Sequence, residues 1–210
     1  VRELPVAWRW ALAGLIAVVA LAAALWPRGR DTAADNRPEA RVRAGVSEQQ
    51  RAAADLAACP RPAAGAVGSG PLAGLTVECL ADGGSVDLAA ALAGKPALLN
   101  LWAYWCGPCA QELPYLQQFA QRAGNAITVL TVHSDPDEAK AISRLNGLNV
   151  RLPGVLDADA RVRSAVGAPA VLPISVLLRA DGSVARVEVR AFTGVDDIAN
   201  TVGQELGVAA

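Results

Sequence analysis

Cys106 and Cys109 stand three residues apart in the stretch AYWCGPCAQE, residues 103–112, with Gly107 and Pro108 between them. A close cysteine pair suits three chemistries: reversible dithiol–disulfide exchange, half of a tetrahedral metal site, or buried structural thiols. A structural zinc needs four ligands. The other candidates are Cys59, Cys79 and His133, and none forms a second closely spaced pair, so no metal is expected. Buried structural thiols would leave the Gly-Pro insert and the preceding Trp105 unexplained. Redox exchange explains both if Cys106 opens a helix. A helix N-terminus carries about half a positive charge and unpaired N–H groups, and a thiolate placed there falls below its usual pKa of ~8.5. Cys106 could then attack a disulfide, and Cys109, one turn inside, could resolve the mixed disulfide. Pro108 suits the first helical positions, where it costs no hydrogen bond.

The surrounding pattern places the pair at a strand-to-helix junction. PALLNLWAY is a near-continuous apolar run, expected as a strand buried on both faces, and the helix that follows is expected from about residue 106 to 122. Further strands are expected at 75–80, 86–88, 127–133 and 155–157. A hairpin of 174–178 and 184–192 should turn at ADGS. Helices are expected at 89–92, 137–145, 160–166 and 195–206. The order predicts an α/β sandwich with a mixed central sheet.

The chain has 210 residues and a formal net charge of -1, so no global basic field recruits nucleic acid. Residues 10–26, WALAGLIAVVALAAALW, carry no charge and no proline. A membrane-spanning helix needs roughly 20 apolar residues, with a lower limit near 17. Trp8, Trp10 and Trp26 match an interfacial aromatic belt. Residues 1–26 are therefore expected to be an N-terminal anchor. Cleavage as a signal at Ala22-Ala23-Ala24 remains the alternative. Residues 27–70 are expected to form a linker, poor in bulky apolar side chains at first. It contains a short helix after Ser47, whose capping-box partner is Gln50. The folded domain is expected over 71–210. Arginines after the apolar run would by charge alone keep the domain in the cytoplasm, although large domains translocate regardless of such charges.

LLNLWAYWCGPCAQELPYL, residues 98–116, is similar to the active-site segment of the thioredoxin superfamily. The closer resemblance is to the membrane-tethered, extracytoplasmic TlpA-like branch, with its ResA-like and DsbE-like cytochrome c maturation reductases. It covers roughly residues 75–206 and implies a thioredoxin-like α/β fold. By this resemblance Cys106 is the attacking cysteine and Cys109 the resolving one. Leu172-Pro173 matches the superfamily's cis-proline, which faces the pair and docks extended substrates. Trp105 borders that surface. Asn100 stands where thioredoxins proper carry an acid, and Glu112 matches the acid that TlpA-like proteins place one turn after the pair. Leu172 and Ile174 depart from the small residues that many relatives place around the proline, which leaves substrate preference open. Each assignment has a plainer counterpart. Pro173 could be a trans proline at a strand start, Glu112 a solvated helix residue, and Asn100 a buried hydrogen-bonder. His133 at a strand end reads as structural and Trp102 as core.

An anchored thiol-disulfide oxidoreductase is thus expected, reducing in direction, without cofactor. Its partners would be protein thiols or disulfides and an upstream membrane electron donor. An oxidant of the same fold, or a non-enzymatic partner- or metal-binding module, are the alternatives. The lack of Met and the single His argue against copper. Cys59 and Cys79 are expected to pair as a structural disulfide that staples the Pro-rich lead-in to the first strand, contributing roughly 3 kcal/mol for a loop of about 20 residues. A redox relay through Cys109 is the other option. A persistent structural disulfide needs an oxidising compartment, which favours an extracytoplasmic domain.

Overall fold

The computed structural model describes residues 46–209. The spanning segment expected at 10–26, and the charged tether after it, lie outside these residues. Among the described residues no helix is long and apolar enough to cross a membrane.

A short helix α1 (Glu48–Ala54) opens the described chain, with the Ser47–Gln50 capping box formed in both directions. It stops earlier than its alanine-rich sequence suggests, because Asp55 takes a left-handed conformation with φ 49°. The chain then makes a hairpin of β1 (Thr76–Cys79) and β2 (Ser85–Asp87), followed at once by α2 (Leu88–Leu92). Asp87 ends the strand because its side chain accepts the Ala90 N–H and caps that helix. Next come β3 (Ala97–Trp102), α3 (Gly107–Ala123), β4 (Thr128–His133), α4 (Glu138–Gly147), β5 (Gly154–Leu156) and α5 (Arg161–Ala165). The hairpin β6 (Ile174–Leu178) and β7 (Val184–Glu188) and a final helix α6 (Val195–Leu206) complete the order.

The seven strands form one mixed sheet in the order β2-β1-β5-β4-β3-β6-β7. β3, β4 and β5 run parallel, and β1 and β6 flank them antiparallel. Every residue of β3 is buried, as expected of a strand covered on both faces. Alternation divides them. Leu98 and Trp102 face a core completed by Leu113, Leu116 and Phe119 of α3, Ile142 and Leu145 of α4, and Ile198 and Val202 of α6. Ala97, Leu99 and Leu101 face the second core, with Leu88 and Leu92 of α2 and Val162 of α5. Asn100 lies on the first face, beneath α3, in the midst of apolar side chains.

Residues 46–70, expected as part of the linker, make several attachments to this sheet. Cys59 and Cys79 are joined, with an S–S distance of 2.03 Å. Arg51 of α1 donates to the Leu80 carbonyl at 2.9 Å and pairs with Glu78 and Glu138. Further along, the Ser69 hydroxyl donates to the Asp181 carbonyl in the β6–β7 turn. Gly70 and Gly182 are required at that contact. Both have positive φ, and a Cβ on Gly70 would lie 2.2 Å from the Gly182 oxygen.

The hairpin differs from expectation at its far end. β7 stops at Glu188 rather than continuing to Phe192. Glu188 pairs with Ser175, one residue from the start of β6 at Ile174, so the ladder has run out, and the Phe192 N–H instead turns inward to donate to the Glu112 carboxylate at 2.8 Å, with its ring buried in the first core.

Candidate active site

β3 delivers the chain to the cysteine pair. Its last residue, Trp102, is followed by a tight turn in which the Cys106 N–H donates to the Ala103 carbonyl at 3.0 Å. Cys106 is the N-cap of α3, in extended conformation, and Gly107 and Pro108 are its first helical residues. Cys106 and Cys109 form a disulfide with S–S 2.02 Å and Cα–Cα 5.3 Å. The Cys109 N–H points at the Cys106 sulfur at 3.3 Å. A helix-start N–H aimed at that atom is the arrangement that stabilises a thiolate. The two sulfurs differ in access: Cys106 retains 5 % exposure and Cys109 none. The site so built can hold a reactive sulfur at its rim and a second one sealed behind it.

Trp105 stands at the rim, 57 % exposed, with its indole N–H donating to Asp135 at 3.0 Å. Tyr104 is held from several sides. Its N–H donates to Nε2 of His133, its carbonyl accepts from Arg144, and the Lys140 ammonium lies over its ring. Asp135 and His133 were not among the expected site residues. The register offers a signal for them, because β3 and β4 are parallel with Trp102 opposite His133. Residues just after each strand must therefore lie side by side.

The Leu172–Pro173 peptide bond is cis. Antiparallel pairing sets Leu101 opposite Ile174, so Pro173 lies beside the end of β3, where the chain leaves for the cysteines. Pro173 is buried, Leu172 half-buried and Val171 exposed. Leu172 packs against the core cluster that contains both Cys106 and Cys109.

Glu112 is wholly buried, three residues after Cys109 and on the same helix face. Oε1 accepts from the Asn100 amide at 2.6 Å and Oε2 from the Phe192 N–H at 2.8 Å. The Asn100 amide also donates to the Ser175 hydroxyl at 3.3 Å, and its own oxygen lacks a partner. Burial pushes the Glu112 carboxyl up to about 7, against the downward pull of Phe192, Asn100 and the Arg190 charge. His133 is the opposite case. Burial holds it down to about 4, although Asp135 favours its charged form, and so it stays neutral and accepts from Tyr104. Among the described residues, no three His, Cys, Asp or Glu side chains converge as a metal site would require.

These two groups give a testable pH dependence. The pKa of Glu112 is higher folded than unfolded. Its contribution is present below 4.5 and is lost as pH rises towards about 7. For His133 the folded pKa is depressed. Its contribution is present above 6.5 and is lost as pH falls towards about 4. The slopes oppose each other between 4.5 and 6.5. Relative to wild type, urea unfolding of Glu112→Gln over that range should show a stability that rises more with pH, and His133→Gln one that rises less or falls more. The same slope in both variants would contradict the assigned burial.

Comparison with known proteins agrees with this geometry. The sequence profile of the Redoxin family matches residues 63–202. The thiol-disulfide oxidoreductase ResA of Bacillus subtilis (strain 168) is 29% identical over 103 residues, covering 49% of this chain and 57% of the relative. The chain thus spans only about half the length of the ResA relatives it matches. Among solved structures, MTB DsbF is 25% identical with a TM-score of 0.56, covering 64% of this chain and 96% of that one. A secreted Mycobacterium tuberculosis disulfide oxidoreductase homologous to E. coli DsbE is 30% identical with a TM-score of 0.54, covering 64% and 97%. The fold is thioredoxin-like. With the match running from the lead-in through the cysteine pair to the last helix, the chain belongs to the Redoxin family.

Proposed function

We propose that this protein is a membrane-tethered, extracytoplasmic thiol-disulfide oxidoreductase that reduces disulfides in protein substrates. The observation that carries the reading is the Cys106–Cys109 disulfide at the N-terminus of α3, with the outer sulfur the more accessible. In the dithiol form, the Cys106 thiolate attacks one sulfur of a substrate disulfide. A Cys106–substrate S–S bond forms and the substrate's other sulfur leaves as a thiolate. Cys109, deprotonated, then attacks the Cys106 sulfur. The intramolecular disulfide forms and the second substrate thiolate leaves. Two electrons have reached the substrate, whose two thiolates take up their protons from solvent, and an upstream donor must return two electrons to the pair. Glu112 is assigned to take the Cys109 proton. Its carboxylate is buried one turn further along the helix, with a pKa of about 7 that suits proton transfer near neutrality. Trp105, Leu172 and Pro173 are assigned to the docking surface for an extended substrate segment.

Residues 1–26 are proposed as the anchor, 27–70 as the linker, whose part from residue 46 is fastened to the sheet, and 71–210 as the thioredoxin-like domain. The Cys59–Cys79 bridge supports an oxidising location. The cysteine pairs of an apocytochrome c are the proposed substrate class, on the resemblance of residues 98–116 to cytochrome c maturation reductases. Two measurements test the reading. The purified full chain, reduced in advance, should reduce a model protein disulfide such as insulin. Its Cys106–Cys109 couple should have a potential nearer that of thioredoxin, about −270 mV, than that of DsbA, about −120 mV. A value near the latter would reverse the proposed direction. A topology reporter fused after Ala210 should read extracytoplasmic, and a cytoplasmic readout would defeat the location.

A further inference from the structure

Glu112 lies at the bottom of the site, yet one of its hydrogen-bond donors comes from the far end of the chain. That donor, the Phe192 N–H, belongs to the irregular stretch after β7. Irregular backbone needs something to hold it, and here the holder is an ion pair on the surface. The Arg190 guanidinium makes a two-pronged contact with Asp197 of α6, at 2.7 and 2.9 Å. It also donates to Glu188 at 2.9 Å and lies 4.9 Å over the Phe192 ring. Asp197 reaches back as well, accepting the Thr193 N–H at 3.0 Å and the Thr193 hydroxyl at 3.1 Å. Residues 190 and 193 are thus clamped to the first turn of α6, and Phe192 is enclosed between them.

We propose that Arg190 and Asp197 are positioning residues for Glu112. Their ion pair keeps the Phe192 N–H on the buried carboxylate and so sets how tightly that carboxylate holds its proton. The proposal rests on the reading above, in which Glu112 handles a proton during thiol exchange. It extends that reading to two residues that touch neither the cysteines nor the substrate. The sign follows from the donor. An N–H aimed at a carboxylate stabilises its ionised form, as does a nearby guanidinium charge. Releasing the clamp therefore raises the proton affinity of Glu112.

Other polar groups on α3 and on the elements packed with it do not replace the clamp. Asn100 on β3 and Ser175 on β6 are uncharged. Cys109 is its neighbour on α3. Arg122 on α3 and Asp196 on α6 pair with each other at 2.7 Å. His133 on β4, and Lys140 and Arg144 on α4, are engaged with Tyr104. Among the described residues, Arg190 is the charge that favours the ionised form of Glu112.

The test is a carbon-13 NMR titration of the Glu112 carboxyl in the full chain, with Glu112→Gln as the assignment control. The pH profile of insulin-disulfide reduction is recorded in parallel. Arg190→Gln and Asp197→Asn should each move the titration midpoint upward by roughly half to one pH unit, about three- to tenfold in proton affinity. The rate profile should move with it. Arg190→Lys keeps the charge without the fork and should fall between, which also covers the case of Arg190→Gln failing to fold. In a Glu112→Gln background, Arg190→Gln should leave the rate profile unchanged. A midpoint that stays at the wild-type value in Asp197→Asn and Arg190→Lys overturns the proposal. A rate profile that survives Glu112→Gln would instead defeat the proton-handling role of Glu112, and the titration would still decide whether the clamp acts.

Discussion

Cys106→Ser should lower thiol-disulfide exchange on the order of a thousandfold or more, because it removes the proposed nucleophile. Cys109→Ser should also stop turnover, but with a different signature: mixed disulfides between Cys106 and its partners should accumulate. The asymmetry follows from position. Cys106 caps α3, receives the Cys109 N–H at 3.3 Å and keeps the residual exposure. Cys109 is sealed and can reach only the Cys106 sulfur, with which it forms the intramolecular disulfide. Non-reducing electrophoresis of each variant after exposure to a protein disulfide reads the outcome directly. Trapped adducts on Cys106→Ser and none on Cys109→Ser would invert the assignment.

Removal of the second disulfide should have the opposite profile, a large loss of stability with little loss of chemistry. Cys59 and Cys79 are 20 residues apart and almost entirely buried. Closing that loop contributes roughly 3 kcal/mol in the chain-entropy model, and for a domain of this size the melting temperature should fall by roughly 6–12 °C. A double Cys59→Ala, Cys79→Ala variant measures this without leaving a stray thiol. The lead-in would keep its other attachments, including the Ala57 N–H on the Arg151 carbonyl at 2.8 Å and Arg51 on Leu80. The exposed Arg61–Asp82 pair adds little. Exchange should stay within about twofold of wild type, since neither cysteine sits at a helix start that would activate it. Loss of turnover with the fold retained would make this pair a relay and part of the mechanism. Mild reductant should open Cys106–Cys109 before Cys59–Cys79, because catalytic disulfides have the higher potential. Peptide mapping after alkylation distinguishes the two.

Local chemistry in the sequence determined where the cysteine pair would sit. An apolar run too continuous for a half-exposed strand, followed by Cys-Gly-Pro-Cys and a helical pattern, locates a strand-to-helix junction without any distant information. Ser47 with Gln50, and the glycine of the ADGS turn, are equally local signals, since a cap or turn is satisfied within a few residues. Glu112 shows where such reasoning stops. The resemblance to TlpA-like proteins singled it out one turn after the pair, but that position in the sequence is the same for a solvated carboxylate and a buried one. Tertiary structure made it buried, because α6 and the stretch after β7 close over α3 and bring a backbone donor from 80 residues away. The end of β7 at Glu188 is likewise set by its partner, since β6 begins at Ile174 and leaves nothing for the later residues to pair with. Asp135 was likewise invisible as the partner of Trp105 until β3 and β4 were set in parallel register. Periodicity reports which face of an element is apolar. It carries no record of which loop will be folded against that face, and the proton affinity of Glu112 and the orientation of Trp105 depend on those distant loops.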